Sequence, residues 1–255
     1  MKKIVLRSKD IHKGNLILIN QKYPIQIKEE EIIRDLTPIG NSSNKHFINK
    51  NTAKALQHIL NQINSKDRIV PVSGFRSRRE QVDLYTNSIR DNGLEFTQQF
   101  VAKPDESEHQ SGMAIDLGEN KRNIDFICPD FPYNGVFNKF REEAKKCGFI
   151  ERYKEGKESI TGISKEPWHF RYVGYPHSVI IEENHFALEE YHDFIKSYTS
   201  IENSFKYKDK NNVVQLFFAK AKDDIQTFYI EDDFRYEVSG NNQDGFIITL
   251  FKNCS

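Results

Sequence analysis

Cysteine is scarce in this chain, and no apolar run is long. Its 255 residues include three cysteines, Cys128, Cys147 and Cys254, with no Cys-x-x-Cys spacing. That odd, scattered set gives neither a disulfide framework nor a zinc ribbon, so core thiols in a reducing compartment are the default expectation. No segment approaches the ~18 apolar residues of a membrane span. At the N-terminus only Ile4, Val5 and Leu6 stand before Arg7, far short of a signal-peptide core. The reading is a protein without membrane insertion that acts in the cytoplasm. An excess of one charge is missing too, because Lys plus Arg and Asp plus Glu both count 37. No basic field therefore argues for nucleic acid or an anionic membrane surface. The short run Lys206 to Lys210 is broken by Asp209 and reads as a solvated loop. Gly-x-Ser-x-Gly does not occur, and the single Ser-x-x-Lys, Ser42 to Lys45, comes without the Ser-Asp-Asn and Lys-Thr-Gly that accompany it in serine enzymes, so neither motif supports a serine hydrolase.

What the chain does have is Ser107-Glu-His-Gln-Ser-Gly-Met-Ala-Ile-Asp116, followed fifty residues on by Glu166-Pro-Trp-His169. A catalytic zinc needs three protein ligands and an open position for water, and a base to take that water's proton. His109, Asp116 and His169 fit the ligand set, and Glu166 fits the base. Around Asp116, Ile115 and Leu117 alternate with small or polar residues, as in a half-buried strand that turns Asp116 away from the core. Trp168, Phe170 and Tyr172 fall on the face opposite His169 in the same way. Gly112 lets the chain turn between the His109 loop and the first of these strands. Pro167 argues against a helix through Glu166, so two strands converging on one ion is the expected geometry, not the helical His-Glu-x-x-His arrangement. Taken singly, each residue has an ordinary reading. One histidine among eight is more often a surface or core residue, Asp after Ala-Ile is a common strand end, and Glu-Pro is a common loop. The constellation is much rarer than its parts.

Along the chain, Leu16 to Ile19 reads as the first strand. Ala53, Leu56, Ile59, Leu60 and Ile63 recur at helical spacing with Thr52 as cap, and Ile69 to Val72 reads as a strand. A helix over Arg78 to Arg90, with Val82, Tyr85 and Ile89 inward, ends at Asn92-Gly93. Residues 97 to 112 read as loop, 119 to 135 as an excursion beside the site, and Phe137 to Lys146 as a helix closed by Gly148. Leu188 to Tyr198 reads as a helix finishing a catalytic domain over residues 1–198. From Val213 onward β-formers dominate, and residues 204–255 read as a small antiparallel sheet with a packing or dimer role.

The pattern Ser-x-His-x-x-Gly-x-Ala-x-Asp with Glu-Pro-Trp-His resembles the zinc D,D-peptidases of glycopeptide-resistance operons, the VanY and VanXY type. Ser73-Gly-Phe-Arg-Ser77, Gln98-Gln-Phe-Val-Ala102, Cys147 to Tyr153, Ile160 to Ile163, Glu166 to Gly174 and Leu188 to His192 carry the same resemblance. It covers roughly residues 14 to 196 and is nearest to the bifunctional VanXY form found with VanG-type resistance. The tail from about residue 205 resembles an extension seen on some VanY proteins. The wider family shares its zinc site with other murein peptidases and the hedgehog signalling domain. The resemblance implies an α+β fold: a mixed, mainly antiparallel sheet flanked by helices, a zinc site in a cleft, and a small C-terminal β subdomain. It implies a Zn²⁺-dependent D,D-dipeptidase and D,D-carboxypeptidase that hydrolyses D-Ala-D-Ala or a muramyl-pentapeptide precursor and contributes to vancomycin resistance. It assigns Arg76 to the oxyanion of the reaction, and Ser107 and Gln81 to the substrate's terminal carboxylate. Ser73 stands where some VanXY proteins have an acidic residue able to attract the free ammonium of a dipeptide. A neutral serine there is the VanY pattern. An L,D-carboxypeptidase of murein tetrapeptides and a zinc-binding module without turnover are the alternative readings, and the intact Glu166 argues against the second.

Overall fold

The computed structural model describes residues 1–40, 45–65, 67–209 and 212–252. The elements, in chain order, begin with β1 (Lys2–Arg7), α1 (Glu29–Ile33), β2 (Leu36–Ile39), β3 (His46–Asn49), α2 (Lys50–Gln62), β4 (Ile69–Ser73) and α3 (Arg78–Asn92). They continue with α4 (Leu94–Phe100), β5 (Ala114–Glu119), α5 (Gly135–Lys146), β6 (Phe149–Tyr153), α6 (Glu158–Thr161), β7 (Glu166–Tyr172), α7 (His177–Glu183) and α8 (Leu188–Ile195). Five strands close the chain: β8 (Phe205–Asp209), β9 (Asn212–Lys220), β10 (Ile225–Ile230), β11 (Phe234–Gly240) and β12 (Gly245–Lys252). The fold is α+β, and every described strand pair is antiparallel.

Contacts divide the chain into two units, residues 19–187 and residues 1–18 with 188–255. The first is built on the sheet β4-β5-β7-β6. One face of this sheet carries Ile115, Leu117, Trp168 and Phe170, which join Leu56 and Ile59 of α2 and Phe137 and Phe140 of α5 in a single apolar core. The second unit holds the sheet β11-β12-β9-β8 and the pair β1-β10, with Ile4, Leu6, Phe217, Phe246 and Leu250 in its own core.

Several sequence expectations change. The first strand is Lys2–Arg7, and Leu16 to Ile19 form none, although all four are buried. Their backbone bonds go elsewhere, Leu16 N–H to Ser239 Oγ at 2.9 Å and Leu18 N–H to Asn241 O at 3.2 Å, and a short apolar run does not distinguish those outcomes. The expected boundary near residue 198 falls differently, since β1 and α8 both group with the C-terminal strands. Asn49, not Thr52, caps α2 by accepting from Asn51 N–H, and Thr52 is buried. On α3 the buried positions are Gln81 and Ser88, while Val82 and Ile89 are exposed, so the expected inward face is rotated. Polar pairing pulls it round: Ser88 Oγ bonds Thr97 Oγ1 at 2.8 Å and Gln81 Nε2 donates to Ala102 O at 2.6 Å. The expected loop from 97 to 112 contains the end of α4 and a 3-10 turn over Glu108–Ser111. Lys206 and Lys208 are exposed, but on strand β8, at the edge of its sheet, where lysines discourage further pairing. Cys128 and Cys147 are half-buried free thiols against the core, and Cys254 lies outside the described residues.

Candidate active site

Strand register brings the predicted ligands together. Asp116 on β5 lies directly opposite His169 on β7 and opposite Ser73 on β4. Because Ile115, Leu117, Trp168 and Phe170 bury the other face, Asp116 and His169 emerge side by side from the same face. His109 reaches them from the 3-10 turn, which Gly112 ends in the left-handed region at φ 71°. A Cβ on Gly112 would also stand 2.8 Å from Leu36 Cδ2. Gly112→Ala should therefore cost about 1–2 kcal/mol for the backbone alone, read as a lower midpoint in chemical denaturation. An unchanged midpoint would show that the turn does not need glycine.

His109 Nε2 is 3.1 Å from Asp116 Oδ2, and His169 Nδ1 is 3.0 Å from Asp116 Oδ1. The other nitrogen of His109, Nδ1, lies 2.7 Å from Gly74 O and donates to it, which leaves the Nε2 lone pair for a metal ion. One ligand atom from each of the three residues fits within 4.8 Å of the others, and all three side chains are buried. Asp116 Oδ1 is buried without a hydrogen-bond partner. Two imidazole nitrogens and a carboxylate oxygen lacking such a partner form a donor set that suits Zn²⁺. Burial acts to raise the Asp116 carboxyl, but His109 and His169 outweigh it and hold it well below the usual carboxylate range.

Glu166 opens β7 and is buried, with Oε2 3.6 Å from His169 Nδ1. Burial above all, with help from Asp116, pushes its carboxyl up to about 8 against the pull of His169. Such a group can take and return a proton near neutrality. The start of β7 is braced by Arg141, whose guanidinium donates to Pro167 O at 2.9 Å, to Phe131 O at 2.9 Å and to Pro132 O at 2.8 Å. The Cys128 thiol is pushed up to about 12, chiefly by burial, so it is no thiolate nucleophile at neutral pH.

The cleft over these groups is lined by Arg76, Ser107, Tyr153, Trp168 and, from the excursion after β5, Phe126 and Ile127. It is narrow, about 40 Å³, which suits a small side chain such as a methyl. A roomier cavity of about 510 Å³ lies beside α2, but it brings only Asp67 as a titratable group, so the chemistry points to the smaller one. Of the expected substrate residues, Ser107 lines the cleft, whereas Ser73 and Gln81 sit behind Arg76 and serve as its acceptors. Arg76 Nη2 donates to Ser73 Oγ and Nη1 to Gln81 Oε1, each at 2.8 Å.

Sequence reading missed Glu108. This carboxylate is 1% exposed, and its Oε1 accepts from Arg152 Nε and Arg171 Nη1, each at 2.8 Å. Burial would raise it, and Arg171 and Arg152 overcome that and hold it well below the usual range. The only hint lay in period: Glu108, Arg152 and Arg171 are charged at positions that the strand and turn pattern buries.

Residues 45–175 match the VanY family, D-alanyl-D-alanine carboxypeptidases. The bifunctional D-Ala-D-Ala dipeptidase and D-Ala-D-Ala carboxypeptidase VanXYC of Enterococcus gallinarum is 41% identical over 183 residues, which is 71% of this chain and 95% of that protein. The chain belongs to the VanY family. The VanY segment contains every residue of the candidate site, from Ser73 to His169. Among solved structures, the vancomycin-resistance D,D-dipeptidase VanXYg in complex with a D-Ala-D-Ala phosphinate analog is 45% identical with a TM-score of 0.92, covering 98% of this chain and 99% of that one. A variant of the D,D-pentapeptidase VanY from the VanB-type resistance cassette, in complex with Zn(II), is 28% identical with a TM-score of 0.57, covering 70% of this chain and 98% of that one. No helix among the described residues is long and apolar enough to cross a membrane.

Proposed function

We propose that the chain is a zinc-dependent D,D-dipeptidase and D,D-carboxypeptidase, with catalysis in residues 19–187. It hydrolyses the terminal peptide bond of D-Ala-D-Ala, free or at the end of a muramyl-pentapeptide precursor, and so contributes to vancomycin resistance. The observation that carries this reading is the convergence of His109, Asp116 and His169 beside a buried carboxylate, Glu166, in a VanY-family chain.

Bound by His109 Nε2, His169 Nδ1 and Asp116, Zn²⁺ would supply Lewis acidity toward the scissile carbonyl and acidify the attacking water. Glu166 takes the proton of that water on its carboxylate and passes it to the leaving amine of D-alanine, for which its raised proton affinity fits it. Arg76 places a positive charge in the wall of the cleft, to meet the carbonyl oxygen as it becomes negative. Ser73 and Gln81 orient that guanidinium, and Ser107 offers a hydroxyl to the terminal carboxylate. Phe126, Ile127 and Trp168 add apolar walls to an otherwise polar, small cleft.

This chemistry has no acylated side chain. Penicillin should leave the protein's mass unchanged in intact-protein mass spectrometry, and a chelator should abolish D-alanine release that Zn²⁺ then restores. A time-dependent mass gain with penicillin, or full activity in chelator, would refute the zinc–water reading.

A further inference from the structure

Behind His169 lies a carboxylate that the reaction above does not use. Arg152 comes from β6 and Arg171 from β7, and both guanidiniums bond the same oxygen of Glu108, Oε1. The other oxygen, Oε2, is left facing His169 Nε2 across 3.6 Å. Those two buried atoms have no hydrogen-bond partner. On the opposite side of the ring, His169 Nδ1 faces Asp116 at 3.0 Å. An imidazole binds a metal through the nitrogen that carries no proton, and its neutral form keeps one proton on the other nitrogen. An ionised carboxylate only accepts, so Oε2 favours the tautomer protonated at Nε2 and turns the Nδ1 lone pair toward Asp116 and His109.

We infer that Glu108 is a positioning residue for the metal centre: it holds the proton on His169 Nε2, and Arg152 and Arg171 fix Glu108 in place to do so. The inference rests on the zinc site proposed above. A packing triad alone would give no reason for one oxygen to be shared by two arginines while the other is aimed at a ligand's outer nitrogen. Carboxylates in this relation to a ligating histidine fix its tautomer and raise its basicity. Glutamine at this position, with its oxygen kept by the arginines, would present an amide N–H to His169 Nε2 and favour the wrong tautomer.

The test starts from the zinc-loaded full-length protein, in which long-range ¹H–¹⁵N correlation spectra should show His169 protonated at Nε2 and bound through Nδ1. Glu108→Gln and the shorter, charge-conserving Glu108→Asp should weaken zinc binding about 10- to 100-fold in chelator competition. Metal-free circular dichroism checks that each variant is folded. Ligation through His169 Nε2 in the unaltered protein would overturn the inference even if both variants misfold. So would a folded variant whose zinc Kd stays within about twofold and whose His169 spectrum is unchanged. Failure of the unaltered protein to take up zinc, with D-alanine release indifferent to chelator, would remove the zinc site itself. That result differs from any failure confined to the Glu108 variants.

Discussion

Glu166→Gln should lower kcat by about 10²- to 10⁴-fold, the usual contribution of a positioned acid–base group, while the protein keeps its zinc. The two halves of that expectation separate a base from a ligand. Glu166 Oε2 stands 3.6 Å from His169 Nδ1, whereas the ligand atoms of Asp116 approach both imidazoles at 3.0–3.1 Å. The amide of glutamine preserves shape and burial but cannot accept the water's proton. Because shape and burial are kept, the fold should be little disturbed. Metal content by elemental analysis and kcat would be measured on one sample. Loss of zinc in this variant would make Glu166 a ligand, and retention of most of the activity would remove it from proton transfer.

Arg76→Ala should cost about 10²- to 10³-fold in kcat, or about 3–4 kcal/mol of transition-state stabilisation, as for the loss of one oxyanion donor in comparable sites. KM should move much less, because the oxyanion is absent from the ground state. Arg76→Lys should recover only part of the rate. A lysine ammonium keeps the charge but lacks the planar fork that bonds Ser73 Oγ and Gln81 Oε1 at once. A rise in KM with unchanged kcat would instead give Arg76 a role in holding the substrate's carboxylate.

The candidate site was legible because two of its three proposed ligands sit on strands with period-2 alternation. Ile115 and Leu117 fix which way Asp116 points, Trp168 and Phe170 do the same for His169, and Gly112 marks the turn that carries His109. Expectations failed where polar contacts or long-range pairing decide the outcome. Gln81 and Ser88 turn the face of α3 inward through hydrogen bonds, not apolar surface, so a hydrophobic pattern picks the wrong side. The pairing of β1 with β10 joins residues more than 200 positions apart, as in the match of Lys2 with Ile230, and no local signal encodes it. Glu108 was invisible for a related reason. A charged residue beside a ligand reads as surface until Arg152 and Arg171, over 40 residues away, are seen to meet it.

The most direct measurement is chiral liquid-chromatography assay of alanine release by the zinc-loaded protein, offered D-Ala-D-Ala, UDP-muramyl-pentapeptide and the corresponding tetrapeptide in parallel. The account predicts D-alanine from the first two, abolished by chelator, and none from the tetrapeptide. Release from the tetrapeptide alone would make the protein an L,D-carboxypeptidase, and release from none of them by zinc-loaded protein would contradict a D,D-peptidase.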